Sequence, residues 1–175
     1  MSTTLEQVPT GTFDLDPVHS SIGFGVKYNI GTFRSSFEEV EAQLVDGVLT
    51  GIAQVGSINI DQPQFKQHVL TKDFFDAEHT PRVTFRSTEI RPAADGSVEV
   101  DGELTIRGVT KAVTATGTYA TGLDAFGNER VGFQIETTVD RREFGLSWQN
   151  PLPNGSDSLA WEVAVSVDLQ LVKQA

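Results

Sequence analysis

The chain contains no cysteine among its 175 residues. This absence excludes a disulfide framework, a thiolate nucleophile and any zinc or iron–sulfur site built on cysteine. Basic residues are also scarce, since 13 Lys and Arg face 24 Asp and Glu and leave a net charge of −11. The summed field of such a chain repels phosphate backbones and anionic lipid headgroups, so we expect no nucleic-acid partner.

Long apolar runs are absent as well. No stretch approaches the roughly 18 consecutive apolar residues of a transmembrane helix, so we expect no insertion into a membrane. The opening segment MSTTLEQVPTGTFDLDP has neither the basic region nor the apolar region of a secretory signal. We therefore expect a cytoplasmic protein.

The dominant pattern in the sequence is the alternation of apolar and polar residues with a period of two, which is typical of strands with one buried face. In the clearest run, from Trp161 to Leu171, every second residue is apolar. The alternation and the turns that interrupt it predict a short extended piece at 12–15. They also predict eight principal strands, at 20–29, 37–46, 48–60, 82–92, 97–107, 110–120, 130–140 and 159–171.

Tight turns separate the predicted strands. Asp46-Gly47 is typical of a two-residue hairpin, because both positions accept a positive φ. Similar reversals are predicted at Asp95-Gly96, Gly127-Asn128 and Asn154-Gly155. Only the stretch 61–79 departs from the alternation, and there Pro63 suits the first turn of a helix. The sequence therefore predicts a short helical insertion near residues 62–78.

Eight antiparallel strands with one apolar face either close into a barrel or stack as two sheets. Strands of ten residues extend about 33 Å, which favours a tall and tilted barrel. We predict an all-β, eight-stranded antiparallel barrel as one domain over 12–175, after a flexible segment at 1–11. Such a barrel either packs its interior with side chains or holds one small ligand, and the periodicity leaves both open.

Five sequence blocks carry a family resemblance. In chain order they are 14–24 (DLDPVHSSIGF), 68–76 (HVLTKDFFD), 81–88 (PRVTFRST), 102–111 (GELTIRGVTK) and 141–146 (RREFGL). Their sequence and order resemble the YceI-like family, and the resemblance covers about residues 12–172. The chain departs from the family at Tyr28, where a His is frequent, and at 34–37 (RSSF), where a Gly-containing turn is frequent.

The resemblance implies a lipocalin-like barrel with a helix near one mouth and an elongated tunnel for a polyisoprenoid or related lipid. Family members are mostly non-catalytic binders, and many are periplasmic. We therefore expect non-catalytic binding, storage or transport of a polyisoprenoid, an isoprenoid quinone or a fatty acyl derivative, with no other cofactor. A homodimer is a further expectation from the resemblance. The alternative is a packed β-barrel that serves as a structural or protein-interaction module without a lipid.

The candidate lipid contacts are apolar side chains expected to face the interior. They are Ile22, Phe24, Val26, Tyr28, Phe74, Phe75, Phe85, Leu104, Ile106, Phe133, Phe144 and Trp161. An apolar tunnel gains about 0.8 kcal/mol for each CH₂ group that it buries, so a long hydrocarbon binds it without specific polar contacts. Phe74 and Phe75 are expected to line or plug a barrel mouth.

Two histidines, His19 and His68, are the polar candidates, and each is either a headgroup contact or a structural side chain. Asp16, His19 and Ser20 do not predict a hydrolytic triad, because neighbouring residues of an extended chain point to opposite faces. His68 and His79 are eleven residues apart and lack the i, i+4 spacing that places two metal ligands on one helix face. We predict no catalytic residue and no metal site.

Overall fold

The computed structural model describes residues 7–174, which form ten β-strands, one α-helix and three 3₁₀-helices. The strands are β1 (Thr12–Leu15), β2 (Ser21–Tyr28), β3 (Gly31–Phe37), β4 (Val40–Val45), β5 (Val48–Gln54), β6 (Arg82–Pro92), β7 (Ser97–Ile106), β8 (Val109–Leu123), β9 (Glu129–Asp140) and β10 (Leu159–Lys173). The helix α1 spans Pro63–Leu70. The 3₁₀-helices span Pro17–His19, Val55–Ser57 and Arg141–Phe144.

The ten strands make an eight-stranded barrel, because two of its strands are interrupted. β1 and β2 follow one another along the same edge of β10, where Phe13 pairs with Lys173 and Ser21 with Asp168. In the same way, β3 pairs with β2 and β4 pairs with β1. All pairings are antiparallel, and the contacts of β1 and β2 with β10 close the ring. The predicted all-β, eight-stranded antiparallel barrel is therefore confirmed.

Several predicted strand bounds need correction. Residues 31–37 form the strand β3, although the sequence analysis left most of them outside a strand. The polar pair Ser35-Ser36 weakens the alternation there, and the strand is fixed instead by its pairing with β2, in which Val26 faces Phe33. β5 ends at Gln54, not at residue 60, because a 3₁₀-helix begins at Val55. The predicted hairpin at Asp46-Gly47 is confirmed, with φ of 47° and 85°.

The helix α1 confirms the predicted helical insertion. Pro63 stands in its first turn, and the side-chain oxygen of Gln62 caps it by accepting a hydrogen bond from the backbone N–H of Phe65. Val69 packs into a buried cluster with Phe37 and Ile58, which anchors the helix across one end of the barrel. Within residues 7–174, no helix combines the length and apolar character needed to cross a membrane.

The barrel core is filled unevenly along its axis. The end opposite α1 carries the β4–β5, β6–β7 and β8–β9 hairpins, and we call it the packed end. Its cluster contains the buried side chains Phe13, Leu44, Val98, Val100, Tyr119, Val131, Phe133 and Leu171. The other end, the α1 end, has two smaller clusters, one around Ile58 and Val69 and one around Leu104 and Phe144.

The predicted flexible segment at 1–11 is only partly described, because residues 1–6 lie outside the described residues. Val8 packs against the cluster of the packed end. The backbone N–H of Gly11 donates to the carboxylate of Asp46 over 2.8 Å, and its carbonyl accepts from the Asp46 N–H over 3.0 Å. The described end of this segment is therefore attached to the β4–β5 hairpin.

Candidate functional site

A cavity of about 560 Å³ occupies the α1 end of the barrel. Its volume lies within the range of about 300–1,000 Å³ that is usual for small-molecule sites. Apolar side chains form most of the wall, and Thr50, Thr84, Thr137, His68 and Arg141 are among the few polar ones. The interior is therefore solid at one end and hollow at the other, so the barrel does not match the fully packed alternative.

The strand β10 shows the change from packed to hollow. Its alternate residues face inward along the whole strand. Leu171, at the packed end, is buried and lies outside the cavity, and Leu169 is buried at the inner limit of the cavity, whereas Val163, Val165 and Val167 line the cavity and remain half-buried. These valines face empty volume instead of neighbouring side chains, and they offer apolar surface to a ligand.

Ten of the twelve candidate lipid contacts line this cavity. They are Ile22, Phe24, Val26, Tyr28, Phe74, Phe75, Phe85, Leu104, Ile106 and Phe144. The strands supply most of them through inward-facing positions, and the segment after α1 supplies Phe74 and Phe75. Gly102 leaves room for the ring of Phe85, because a Cβ atom at that position would overlap the ring.

Phe133 does not border the cavity. It is fully buried in the cluster of the packed end, where its ring centroid lies 5.2 Å from that of Tyr119. Alternation predicted the inward face of this residue correctly, but it carries no information on depth along the barrel axis.

Trp161 also lies outside the cavity. The pairing of β10 with β2 is irregular between Leu159 and Val163, which displaces the residues between them from the regular ladder. The indole ring stacks on two guanidinium groups, with the Cζ atoms of Arg141 and Arg142 at 4.2 and 4.7 Å from its centroid. Its Nε1–H donates to Asp157 over 2.8 Å.

The cavity wall contains aromatic side chains that the sequence analysis did not select, Phe33, Phe65 and Trp148. Phe33 bridges two other rings, at 6.1 Å from Phe24 and 5.2 Å from Phe65. If β3 had been predicted from the sequence, Phe33 would have been expected to point inward, because Phe33 and Phe37 lie on the same face of that strand. Phe65 and Trp148 lie on a helix and a loop, where alternation gives no signal.

His68 lies on the cavity wall at the α1 end. Its Nε2 atom is 3.0 Å from the carboxylate of Asp73. Its ring packs edge-on against Phe74 and Trp148, with both centroid distances 5.2 Å. His68 therefore combines a polar group with an aromatic setting at the edge of an apolar cavity.

His19 lies on the outer wall of the barrel and does not border the cavity. Its Nδ1 atom is 2.8 Å from Asp16, which also accepts a hydrogen bond from Arg130 over 2.7 Å. Arg130, together with His19, holds the pKa of the Asp16 carboxyl well below its usual range. These contacts fit a structural side chain, which is one of the two roles considered for His19.

Arg141 is a buried cation in the wall of the cavity. Its guanidinium donates to the carbonyls of Leu146, Trp148, Leu159 and Ala160, over 2.7 to 3.3 Å. Burial lowers the pKa of Arg141, and the four carbonyl dipoles offset part of the cost of burying its charge. These bonds join the loop after β9 to the start of β10, so Arg141 helps to hold the cavity wall in place.

No group of three His, Cys, Asp or Glu side chains within residues 7–174 is arranged to hold a metal ion. The cavity wall offers mainly apolar contact, and the His68–Asp73 pair lies at its edge.

Comparison with known proteins places the sequence among related bacterial chains. The family model of the YceI-like domain matches residues 13–171. A UPF0312 protein of Vibrio parahaemolyticus is 28% identical over 142 residues, which cover 76% of this chain and 75% of the relative. A UPF0312 protein of Pseudomonas fluorescens is 29% identical over 154 residues, which cover 86% of this chain and 77% of the relative.

Solved structures share the barrel. BcnA of Burkholderia cenocepacia superposes with a TM-score of 0.76 at 25% identity, over 90% of this chain and 99% of BcnA. A polyisoprenoid-binding domain from Saccharophagus degradans superposes with a TM-score of 0.66 over 93% of this chain and 98% of the domain. At 13% identity, the second likeness shows the fold alone.

Proposed function

Because the chain belongs to the YceI-like family, we propose that it binds a long-chain apolar lipid inside its barrel and performs no chemistry on it. The observation that carries this proposal is the cavity of about 560 Å³ with its apolar wall. The shared fold with a polyisoprenoid-binding domain supports an isoprenoid chain as the ligand class. Storage or transport of that lipid is the role we propose.

The apolar wall supplies the affinity. Half-buried side chains such as Val163 and Val165 expose apolar surface that a hydrocarbon chain would cover. A tail of about ten carbons gains roughly 8 kcal/mol at about 0.8 kcal/mol per CH₂ group, before the cost of ordering the chain is subtracted. Burial against the wall therefore provides enough free energy to bind a long hydrocarbon chain without a specific polar contact.

The packed end fixes the direction in which the lipid enters. Phe13, Tyr119 and Phe133 close the interior at that end. An apolar tail consequently enters from the α1 end, and its polar group stays near the opening. We propose His68 as the side chain that meets this group, because it lies on the cavity wall beside Asp73. His19, on the outer wall, has no place in this arrangement.

Native mass spectrometry tests the proposal. Protein purified without detergent should carry an added mass of one lipid, and protein stripped with organic solvent should take up an isoprenoid quinone or a fatty acyl amide. Protein that is bare after purification and takes up none of these lipids would contradict lipid binding. Recovery of a chemically altered lipid after incubation would contradict the non-catalytic role.

A further inference from the structure

Exposed apolar side chains lie around the opening of the cavity. Tyr28 and Phe65 line the cavity and are nevertheless 41% and 40% exposed, so they mark the place where it opens. Ile30, at the tip of the β2–β3 hairpin, is fully exposed. The tip is held in place, because the backbone N–H of Asn29 donates to the carbonyl of Ser158 over 2.8 Å.

Two of the elements beside this opening carry cations and no carboxylate, in a protein that is acidic overall. Residues 21–37, which form the β2–β3 hairpin, and the helix α1 contain Lys27, Arg34 and Lys66 but no Asp or Glu. The nearest carboxylates along the chain from α1 are Asp61 and Asp73, and Asp73 already contacts His68. All the carboxylates behind the net charge of −11 therefore lie outside these two elements.

In the part of the chain that the structure describes, Lys27, Arg34 and Lys66 have no carboxylate oxygen within 4.0 Å. By contrast, Arg91 and Lys173 at the packed end are paired with Asp101 and Glu129 over 2.7 and 2.9 Å. Cations beside the opening are thus free to bind anionic groups of a partner.

From the exposed apolar tip and the unpaired cations, we infer that this side of the opening docks on the surface of an anionic lipid bilayer. The docking face consists of Lys27, Tyr28, Ile30, Arg34, Phe65 and Lys66. Isoleucine and aromatic side chains enter the interface between headgroups and acyl chains, and Lys and Arg bind the headgroup phosphates. The face adheres to the surface and does not span the membrane.

The overall negative charge does not prevent this contact at physiological ionic strength. Salt screens charges over about 8 Å under these conditions. The strand β10 runs from the α1 end to the packed end, and its 15 residues extend roughly 50 Å, or about 35–40 Å along the axis of a tilted barrel. Acidic residues at the packed end, such as Asp95 and Asp124, are therefore too distant to cancel the attraction. Nearer to the opening, Asp73 is paired with His68, and Asp157 accepts a hydrogen bond from the indole N–H of Trp161.

Docking in this orientation has a consequence that rests on the proposed function. The cavity then opens directly at the membrane, because Tyr28 and Phe65 belong both to the cavity wall and to the docking face. A lipid tail moves between bilayer and barrel without crossing bulk water.

Sedimentation with vesicles tests the docking face. Lipid-free protein is mixed with phosphatidylcholine vesicles, with or without phosphatidylglycerol, at physiological ionic strength. We expect binding to the vesicles that contain phosphatidylglycerol. The double variant Lys27→Gln/Arg34→Gln should bind them about 25-fold more weakly, at roughly five-fold per cation, and Ile30→Ser about ten-fold more weakly.

The matched control is Phe126→Ser, which removes another highly exposed apolar side chain, from the β8–β9 turn at the packed end. This variant should bind as the unchanged protein does. The inference is overturned if the unchanged protein ignores the anionic vesicles, if it binds both vesicle types equally, or if Phe126→Ser weakens binding as much as Ile30→Ser. Lipid uptake without vesicle binding overturns docking alone, whereas vesicle binding without lipid uptake overturns only the proposed function.

Discussion

The two ends of the barrel follow the same alternating pattern but differ in what fills them. Inward residues of β10 are buried at Leu169 and Leu171 and half-buried at Val163 and Val165. The difference lies in the residues across the barrel. At the packed end, side chains from β1, β8 and β9 meet on the axis, whereas at the α1 end the aromatic rings line the wall. The packed end supplies close contacts that stabilise the fold, and the hollow end keeps apolar surface available for a ligand.

The largest effect should come from truncating a ring at the packed end. Phe133→Ala removes a fully buried side chain and should lower the free energy of unfolding by about 3–5 kcal/mol. Phe24→Ala, in the cavity wall, should cost less, roughly 1–2 kcal/mol, because one side of that ring already faces empty volume. Urea unfolding of both lipid-free variants measures the difference. Equal losses would show that the two ends are packed alike.

Filling the hollow end should affect binding more than stability. Val165→Trp places a large ring in the cavity and should weaken lipid uptake at least about ten-fold, with a change in unfolding free energy below about 1 kcal/mol. Ser166→Trp is the matched control, because Ser166 is the next residue of β10 and points outward. Titration with a fluorescent lipid compares the two variants. Unchanged affinity in Val165→Trp would place the ligand outside this cavity.

The smallest expected effect is a change in the stability of the folded protein at low pH, and it comes from Asp124 at the packed end. The backbone N–H of Asn128 and the guanidinium of Arg130 lower the pKa of Asp124 to about 2, from an ordinary value of 3.8. Because the folded state has the lower pKa, this carboxylate stabilises the protein above pH 3.8 and loses that contribution as the pH falls toward 2.

The Asp124→Asn variant tests this assignment. Its melting temperature should fall less steeply than that of the unchanged protein as the pH is lowered through this window. Lipid uptake at neutral pH should be the same in both proteins, because Asp124 lies at the end opposite the cavity opening. An unaltered slope would mean that Asp124 has the same pKa in the folded and unfolded chains.

Sequence patterns predicted the elements whose signals are local. The turn at Asp46-Gly47 and the helix that begins at Pro63 each depend on the conformational preference of one or two residues, and both are present. β3 was missed because Ser35 and Ser36 interrupt its apolar pattern, and its position depends on pairing with β2. Trp161 was assigned to the interior because an irregular pairing cannot be read from alternation. The expected homodimer and the cytoplasmic location stay predictions.

The sequence by itself determined most of the strands and the face that most of them turn inward, because a period of two is a local property of an extended chain. Only the tertiary structure decided that one end is solid and the other hollow. That outcome depends on where residues distant in sequence, such as Phe13, Tyr119 and Phe133, meet across the barrel. The tertiary structure also brought Lys27, Arg34 and Lys66 close to the cavity opening. The net charge of −11 could not predict this cluster, because a net charge does not show where individual charged residues lie in the fold.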